Sequence, residues 1–530
     1  MQEAERATRS VYFIGIGGTA MAGMAAALAK AGWTVTGSDA GVYPPMSDFL
    51  ATHGIRYFET FSEANLRDLG FPIFDSGSAY PFTAERSFPE VLPAGGRSRF
   101  SDLGGRARFP DSGFGASQPL IVIGNAVGRG NPEVEAVLRC KLPHTSLAAF
   151  AGEECITGRT SLVVTGTHGK TTTAALAAWV LDAAGRAPGF LIGGIPVNFG
   201  EGCRPAAAAG IFVSEGDEYD TAFFDKRSKF VHYRPDILII NNIEFDHADI
   251  FASIDEIARS FRQVVNLVPD NGLIFVNGDD PRACDVAAGA HTRVERFGLG
   301  DDNDWRAVQV EQRNGEMRFA VEHRDGASLQ AFRYALPLSG EFNVRNALGV
   351  IAAASALGLS AHEIQSGLST FRSVRRRMEV IAETGGITVI DDFAHHPTAV
   401  RETLAALRSR YPGRRLWALF EPRSNSTTRN IFQNELADAF IDADCVIIGA
   451  VHRPERYAPG DSLDSGLLLR ELADRGIRAF DIPVVDEMVA LVLSEARRGD
   501  VIALLSNGRF GGAHAKLVHG VGAPTRDVRT

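Results

Sequence analysis

Along this chain, short apolar runs end in glycine or acidic turns and pass straight into helix-forming stretches. The clearest instance is VVTGTHGKTTTAALAAWV at residues 163–180. The same order appears in VYFIGIG, TAMAGMAAALAKAG and WTVTGSD across residues 11–39, and a further apolar strand, LIVIGNAV, arrives at 120–127. It continues through GIFVSEG, PDILIINNI, SIDEIARSFRQVVNLV and GLIFVNGDD. Strands that alternate with helices form mostly parallel sheets with helices on both faces. Residues 305–335 instead alternate apolar and polar side chains around Asn-Gly and Asp-Gly turns, which predicts hairpins on an antiparallel edge of the same domain. A third alternating set, ITVIDDF, TAVRETLAALRSRY, RRLWALFEP, CVIIGAV and VIALLSN, starts near residue 387 and predicts a small doubly wound domain. Residues 75–117, rich in Gly, Ser, Pro and Arg, hold neither period and predict a mobile insertion.

A chain of 530 residues exceeds one core, so several domains are expected. Its net charge of −10 argues against a nucleic-acid partner, whose footprint is normally basic. The polar start MQEAERATRS lacks a signal-peptide core, and no apolar run reaches the roughly 18 residues that span a bilayer. A cytoplasmic protein with no membrane partner is expected. Cys140, Cys155, Cys203, Cys284 and Cys445 are scattered without zinc spacing and predict free buried thiols. Nothing in the sequence specifies an oligomeric state.

Two glycine turns could cradle phosphate. TGTHGKTTT sets Gly166 and Gly169 around a turn whose N–H groups can face an anion at a helix N-terminus. Lys170 can reach phosphate oxygens and the Thr171 hydroxyl suits magnesium, although Val164 stands where the usual GxxxxGKT pattern has its first glycine. In GIGGTA, Gly15, Gly17 and Ala20 fit a dinucleotide fingerprint, with Asp39 ending the next strand. Alone, that turn fits a nicotinamide oxidoreductase, another diphosphate ligand, or tight strand–helix packing. Behind the 165–173 loop, strands end in Glu215, Asp217, Glu218 and Asp220, and in Asn242, Glu244, Asp246, His247 and Asp249. Glu215 and His247 are expected to bind Mg²⁺, whereas Glu218 and Asp249 are expected to be solvated loop acids.

Taken in order, FIGIGGTAMAGMA with GSD, TGTHGKTTT, SEGDEYD, NNIEFDHAD, GEFNVRNAL, RRRMEV and DDFAHHPT resemble the Mur ligases, ATP-dependent amide-forming enzymes of peptidoglycan metabolism. The resemblance covers nearly the whole chain outside 75–117. It implies three α/β domains: a Rossmann-like UDP-sugar domain (1–155), a central P-loop ATPase-like domain (156–370) and a small doubly wound domain for the amino substrate (371–530). One cradle would then hold the substrate diphosphate and the other ATP. UDP-N-acetylmuramate would meet Gly15, Gly17, Gly18, Asp39, Asn125, Arg129, Asn131 and Asn198. ATP would meet Gly166, Thr167, His168, Gly169, Lys170, Thr171, Thr172, Asn343, Asn346 and Asp392, with magnesium on Thr171, Glu215 and His247. Lys170, Glu215, His247, Arg377 and His395 would carry catalysis, with Arg376 the less favoured arginine.

Three stretches, PGFLIGGIPVNFG, FEPRSNSTTRNIFQ and LSNGRFGGAHAKL, point within the family to a member that joins a cell-wall tripeptide rather than L-alanine. Arg423, Ser424 and Asn425 would meet the incoming amino substrate, since an arginine fork suits a peptide carboxylate. Two positions depart from the family pattern: Phe342 replaces a common histidine and Phe393 a common tyrosine. No lysine lies between His247 and Asn271, so a carbamoylated lysine is not expected there. Against the ligase stand two rivals: a nicotinamide oxidoreductase, which the 165–173 loop disfavours, and a non-catalytic nucleotide sensor, which the joint presence of Lys170, Glu215, His247 and Asp392 disfavours.

Overall fold

The structure, a computed structural model, describes residues 9–43, 46–73, 118–325, 328–458 and 460–522. The insertion expected at 75–117 lies outside them. The chain divides into two compact units, Met1–Leu147 and Ala148–Thr530.

The first unit is a five-stranded parallel sheet in the order Arg56–Phe58, Thr34–Ser38, Ser10–Ile14, Leu120–Ile123, His144–Ser146. The order reverses between Ser10–Ile14 and Leu120–Ile123, which opens a crevice at their C-terminal ends. Below it Glu133 is fully buried, and its carboxylate accepts from Tyr12 Oη (3.1 Å), Ser38 Oγ (2.5 Å) and Asn65 Nδ2 (2.6 Å). Those donors offset a burial that pushes its pKa up, and they pin the helix Pro132–Arg139 to the sheet.

The second unit holds two sheets. In the larger, of ten strands, Thr160–Thr165 lies between Ile211–Glu215 and Ile237–Ile240, all parallel. The predicted hairpins form its antiparallel edge, Trp305–Arg313, Glu316–Asp325 and Ser328–Leu336. The helix Lys170–Ala183 buries Ala174, Leu176, Val180 and Leu181 under the helices Glu341–Ala356 and Ala361–Ser369. Gly367 permits that approach: a Cβ there would sit 2.8 Å from the Val180 backbone. The smaller sheet orders Glu379–Thr384, Ile387–Asp392, Val501–Leu505, Leu416–Phe420, Cys445–Ile448 and Arg478–Asp481, antiparallel only at its first pair. It carries its own apolar layer on each face, one including Phe420 and Leu436 and the other Trp417 and Met488.

None of the five cysteines forms a disulfide; Cys155, Cys203 and Cys445 are buried as expected, whereas Cys140 and Cys284 are only half-buried. Among the described residues, no helix is long and apolar enough to cross a membrane.

Candidate active site

In the first unit, Gly15 turns the chain at φ +90°, and a Cβ there would sit 2.7 Å from Val127. Its N–H donates to Ser38 O (2.8 Å), and Gly17 N–H donates to Asp39 Oδ2 (2.7 Å). Gly18 caps the helix Thr19–Lys30 without any side-chain bond, and a pocket of about 340 Å³ lined by Gly15, Gly18, Asp39, Asn125, Arg129 and Asn131 opens there. Asn131 and Arg129 have local partners as well. Asn131 Oδ1 accepts from Glu133 and Val134 N–H as a helix N-cap, and Arg129 forms a fork with Glu135 (2.8 and 3.1 Å).

In the second unit the Thr160–Thr165 strand ends at Gly166 (φ +136°), and Gly169 (φ +80°) starts the helix Lys170–Ala183. A Cβ on Gly169 would lie 2.4 Å from Asn346 Oδ1, so Asn346 is packed beneath the loop. Asn343 Nδ2 donates to Ser339 O, and Asn346 Nδ2 to Asn343 Oδ1. Both asparagines therefore buttress the loop from the helix Glu341–Ala356. The loop backbone is held by Asn242, whose Oδ1 accepts from His168 N–H (2.7 Å), while Thr167 Oγ1 donates to Glu244 O (3.2 Å). Thr172 is buried in the first helical turn. Phe342 folds over Gly340, whose Cβ position would be 2.6 Å from the ring.

Lys170 folds back, donating to Gly166 O (2.7 Å), Thr167 O (3.1 Å) and Glu218 Oε1 (2.9 Å). Burial would lower its pKa, but the carboxylates of Glu218, Asp217 and Glu215 outweigh burial and raise it. Glu218 is thus no solvated loop acid. It is 2 % exposed and bonds His247 Nε2 (2.9 Å) as well as Lys170. Asp249 is exposed, as expected.

Thr171 Oγ1 donates to Glu215 Oε1 (2.7 Å), whose other oxygen accepts from Gly193 N–H (2.6 Å). Two hard oxygen donors side by side on a phosphate loop fit Mg²⁺. His247 fits less well. Its Nε2 is committed to Glu218, and although burial opposes protonation, that carboxylate raises its pKa and favours the form that cannot ligate.

Three consecutive arginines meet three fates. Residues 373–375 pair with 195–197 through Val197 N–H to Ser373 O and Arg375 N–H to Ile195 O (both 3.0 Å). That pairing delivers Arg377, whose Nη2 donates to Thr171 Oγ1 (3.3 Å). Arg376 instead bonds Asp391, Ser506 O and Gly508 O inside the smaller sheet, and exposed Arg375 pairs with half-buried Glu379. Phe393 lies under both Arg376 and Arg377, about 5 Å from each guanidinium (5.2 and 5.1 Å), which a phenyl face satisfies without a hydroxyl.

Two expected ligand groups prove to be tethers. Asn198 Nδ2 donates to Thr370 O (2.9 Å) and its Oδ1 accepts from Arg372 N–H (2.7 Å), so its amide secures the linker. Asp392, expected to meet ATP, is buried and accepts from Met378 and Ala394 N–H (2.7 Å each). His395 lies beside them with Nδ1 on Phe393 O (2.9 Å) and Nε2 3.8 Å from Asp246 Oδ2; burial lowers its pKa and keeps it neutral. Asp246 is itself bonded by Ser426 Oγ (2.7 Å), joining the two sheets.

At the C-terminal end of the smaller sheet, Arg423 packs on Gly508 and lies 3.6 Å from Glu421. Ser424 closes a turn with Thr427, its Oγ accepting Thr427 N–H (3.2 Å), and Asn425 is exposed. Residues the sequence reading missed adjoin them: burial and then the positive charges of Arg423, Arg453 and Arg456 lower the pKa of His452. The run VHRPERY is visibly basic. Only the adjacency of Leu416–Phe420 and Cys445–Ile448 brings it to Arg423.

The chain matches the Mur ligase family catalytic domain over residues 10–156, the Mur ligase middle domain over 164–354 and the Mur ligase glutamate ligase domain over 376–508. It is 37 % identical over 516 residues to the UDP-N-acetylmuramate–L-alanyl-γ-D-glutamyl-meso-2,6-diaminoheptandioate ligase of Escherichia coli, covering 96 % of this chain and 98 % of that protein. It is 30 % identical to the UDP-N-acetylmuramate–L-alanine ligase of Variovorax paradoxus, over 99 % of this chain and 98 % of the other. A murein peptide ligase structure from Psychrobacter arcticus superposes with a TM-score of 0.67 at 32 % identity, over 98 % of this chain and 99 % of that one. With a phosphate loop, a separate diphosphate-type crevice and near full-length similarity of this kind, the chain belongs to the Mur ligase family.

Proposed function

We propose that this protein is an ATP-dependent ligase that joins UDP-N-acetylmuramate to L-alanyl-γ-D-glutamyl-meso-diaminopimelate, acting in the cytoplasm in peptidoglycan recycling. The observation that carries the reading is Arg377 reaching Thr171 from the linker, which adds a second cation to the Lys170 loop. A carboxylate is a poor electrophile, so its attack on the γ-phosphate of ATP to give an acyl phosphate and ADP supplies a leaving group. The peptide amine then attacks the acyl carbon and expels phosphate. Lys170 and Arg377 would neutralise charge on the transferring phosphoryl group, and loop N–H groups would orient it. Thr171 and Glu215 would hold Mg²⁺, which supplies positive charge against phosphate oxygens. Glu218 would keep Lys170 protonated until nucleotide arrives, and His395, whose pKa burial lowers, would accept the amine proton. The UDP-sugar would occupy the crevice at Gly15–Gly18 and Asp39. The domain limits 1–155, 156–370 and 371–530 belong to the same reading.

The cationic set of Arg423, Arg453 and Arg456 supports an acidic peptide over L-alanine, because alanine offers one carboxylate and the tripeptide three. ADP formation with UDP-N-acetylmuramate, comparing L-alanine with the tripeptide, tests the reading. Faster turnover with alanine would assign the chain to the L-alanine ligases. Lys170→Ala should abolish ADP formation and leave UDP-sugar binding by calorimetry largely intact; loss of both would refute two separate cradles.

A further inference from the structure

We propose that His168, Glu244 and His396 form a transition-metal site of the zinc class, distinct from the magnesium donors, that staples the phosphate loop to the smaller sheet. The three side chains present one ligand atom each within 4.8 Å of one another. His168 Nε2 lies 3.2 Å and His396 Nδ1 3.6 Å from the same Glu244 oxygen. A tetrahedral zinc ion about 2.0–2.1 Å from each donor sets neighbouring donors about 3.4 Å apart, close to the two spacings from Glu244, while the His168 and His396 nitrogens lie within 4.8 Å of each other. Two imidazoles and a carboxylate also differ in kind from the hydroxyl–carboxylate pair at Thr171 and Glu215. Nitrogen donors favour zinc, cobalt or nickel over magnesium.

The surroundings orient the donors. His396 Nε2 faces Phe245 O at 3.2 Å, so that nitrogen carries the proton and Nδ1 keeps its lone pair toward Glu244. A long bond from Thr398 N–H to Nδ1 (3.3 Å) is the contact a metal would replace. Thr398 Oγ1 donates to the Glu244 oxygen at 2.7 Å, and His168 is anchored through its backbone to Asn242. Three protein donors leave a fourth position open to water.

The consequence is mechanical. His168 belongs to the phosphate loop, whereas His396 caps the helix Pro397–Arg410 of the smaller sheet, so a bound ion resists their separation.

The test uses the full chain, stripped with chelator and titrated with Co²⁺, and with Zn²⁺ in competition with a chromophoric chelator. One equivalent of cobalt should give the strong visible bands of a low-coordinate site without a thiolate charge-transfer band. Zinc should raise the thermal midpoint, and excess Mg²⁺ should not displace it. Glu244→Gln and His396→Asn, which keeps a helix-capping oxygen, should each weaken zinc binding by about 100-fold or more. Melting of the metal-free variants shows that they fold, and either one alone suffices. Only weak six-coordinate cobalt bands, a thiolate band pointing to a cysteine, displacement by Mg²⁺, or unchanged affinity in a folded variant overturns the assignment.

Discussion

Replacing Glu218 by glutamine tests how the site holds its lysine. The carboxylate is 2 % exposed and touches Lys170 Nζ through both oxygens, at 2.9 and 2.7 Å, while bonding His247. Glutamine keeps the volume and one acceptor but removes the charge, leaving a buried ammonium with only Asp217 and Glu215 nearby. Breaking a buried ion pair costs about 3–5 kcal/mol, and the retained acceptor places this change near 3 kcal/mol, roughly 150-fold in the unfolding equilibrium. Urea unfolding followed by circular dichroism should move its midpoint down by about 1 M. A double-mutant cycle isolates the pair. Lys170→Met alone strands the carboxylate, whereas Lys170→Met with Glu218→Gln removes both buried charges and should recover about 2 kcal/mol relative to the summed single costs. Strict additivity would mean that the two groups do not share their charge, and the role given to Glu218 would fail.

Gly169→Ala forces φ +80° on a residue with a side chain and drives its Cβ to 2.4 Å from Asn346, so ADP formation should be lost and stability should fall by about 2 kcal/mol in thermal melts. Arg377→Ala should lower the rate of ADP formation by about 10²–10³-fold while calorimetric binding of UDP-sugar stays unchanged. Arg423→Ala should raise KM for the tripeptide more than KM for L-alanine in the same coupled assay. Asp217 is bonded to Lys229 at 2.6 Å; burial alone would raise its pKa, but that lysine and Lys170 hold it down to about 2. Because the folded value lies below the unfolded one of about 3.9, its contribution is present above pH ~4 and is lost as pH falls through 2. Lys229→Met should therefore flatten acid unfolding over that window.

The sheets and the phosphate loop were legible because each depends on a local pattern. Period-2 apolar runs, a glycine pair and an alanine-rich helix state their conformation within a dozen residues. Short polar side chains were not legible in the same way. Asn131, Asn198 and Asp392 are expected to contact ligands because amides and carboxylates commonly do, yet the same groups cap helices and close turns, and here Asn131 caps, Asn198 ties the linker and Asp392 locks a turn. The identity of the residue does not say which backbone N–H lies within reach.

The inward turn of Glu218 has a comparable cause. Glu215, Asp217, Glu218 and Asp220 follow one strand, and nothing in their spacing distinguishes the acid that meets Lys170. The choice is made from another segment: His247 sits at φ +57° after the neighbouring Ile237–Ile240 strand and offers Nε2 to Glu218. Arg375, Arg376 and Arg377 show the same dependence, since the pairing of 373–375 with 195–197 sends only the third to Thr171. Chemistry in this protein is therefore assigned by backbone pairing between distant segments. A substitution that disturbs the 195–197 pairing, such as Val197→Pro, which removes the N–H donated to Ser373 O, should depress ADP formation as Arg377→Ala does, while the Lys170 and Glu218 side chains remain in place.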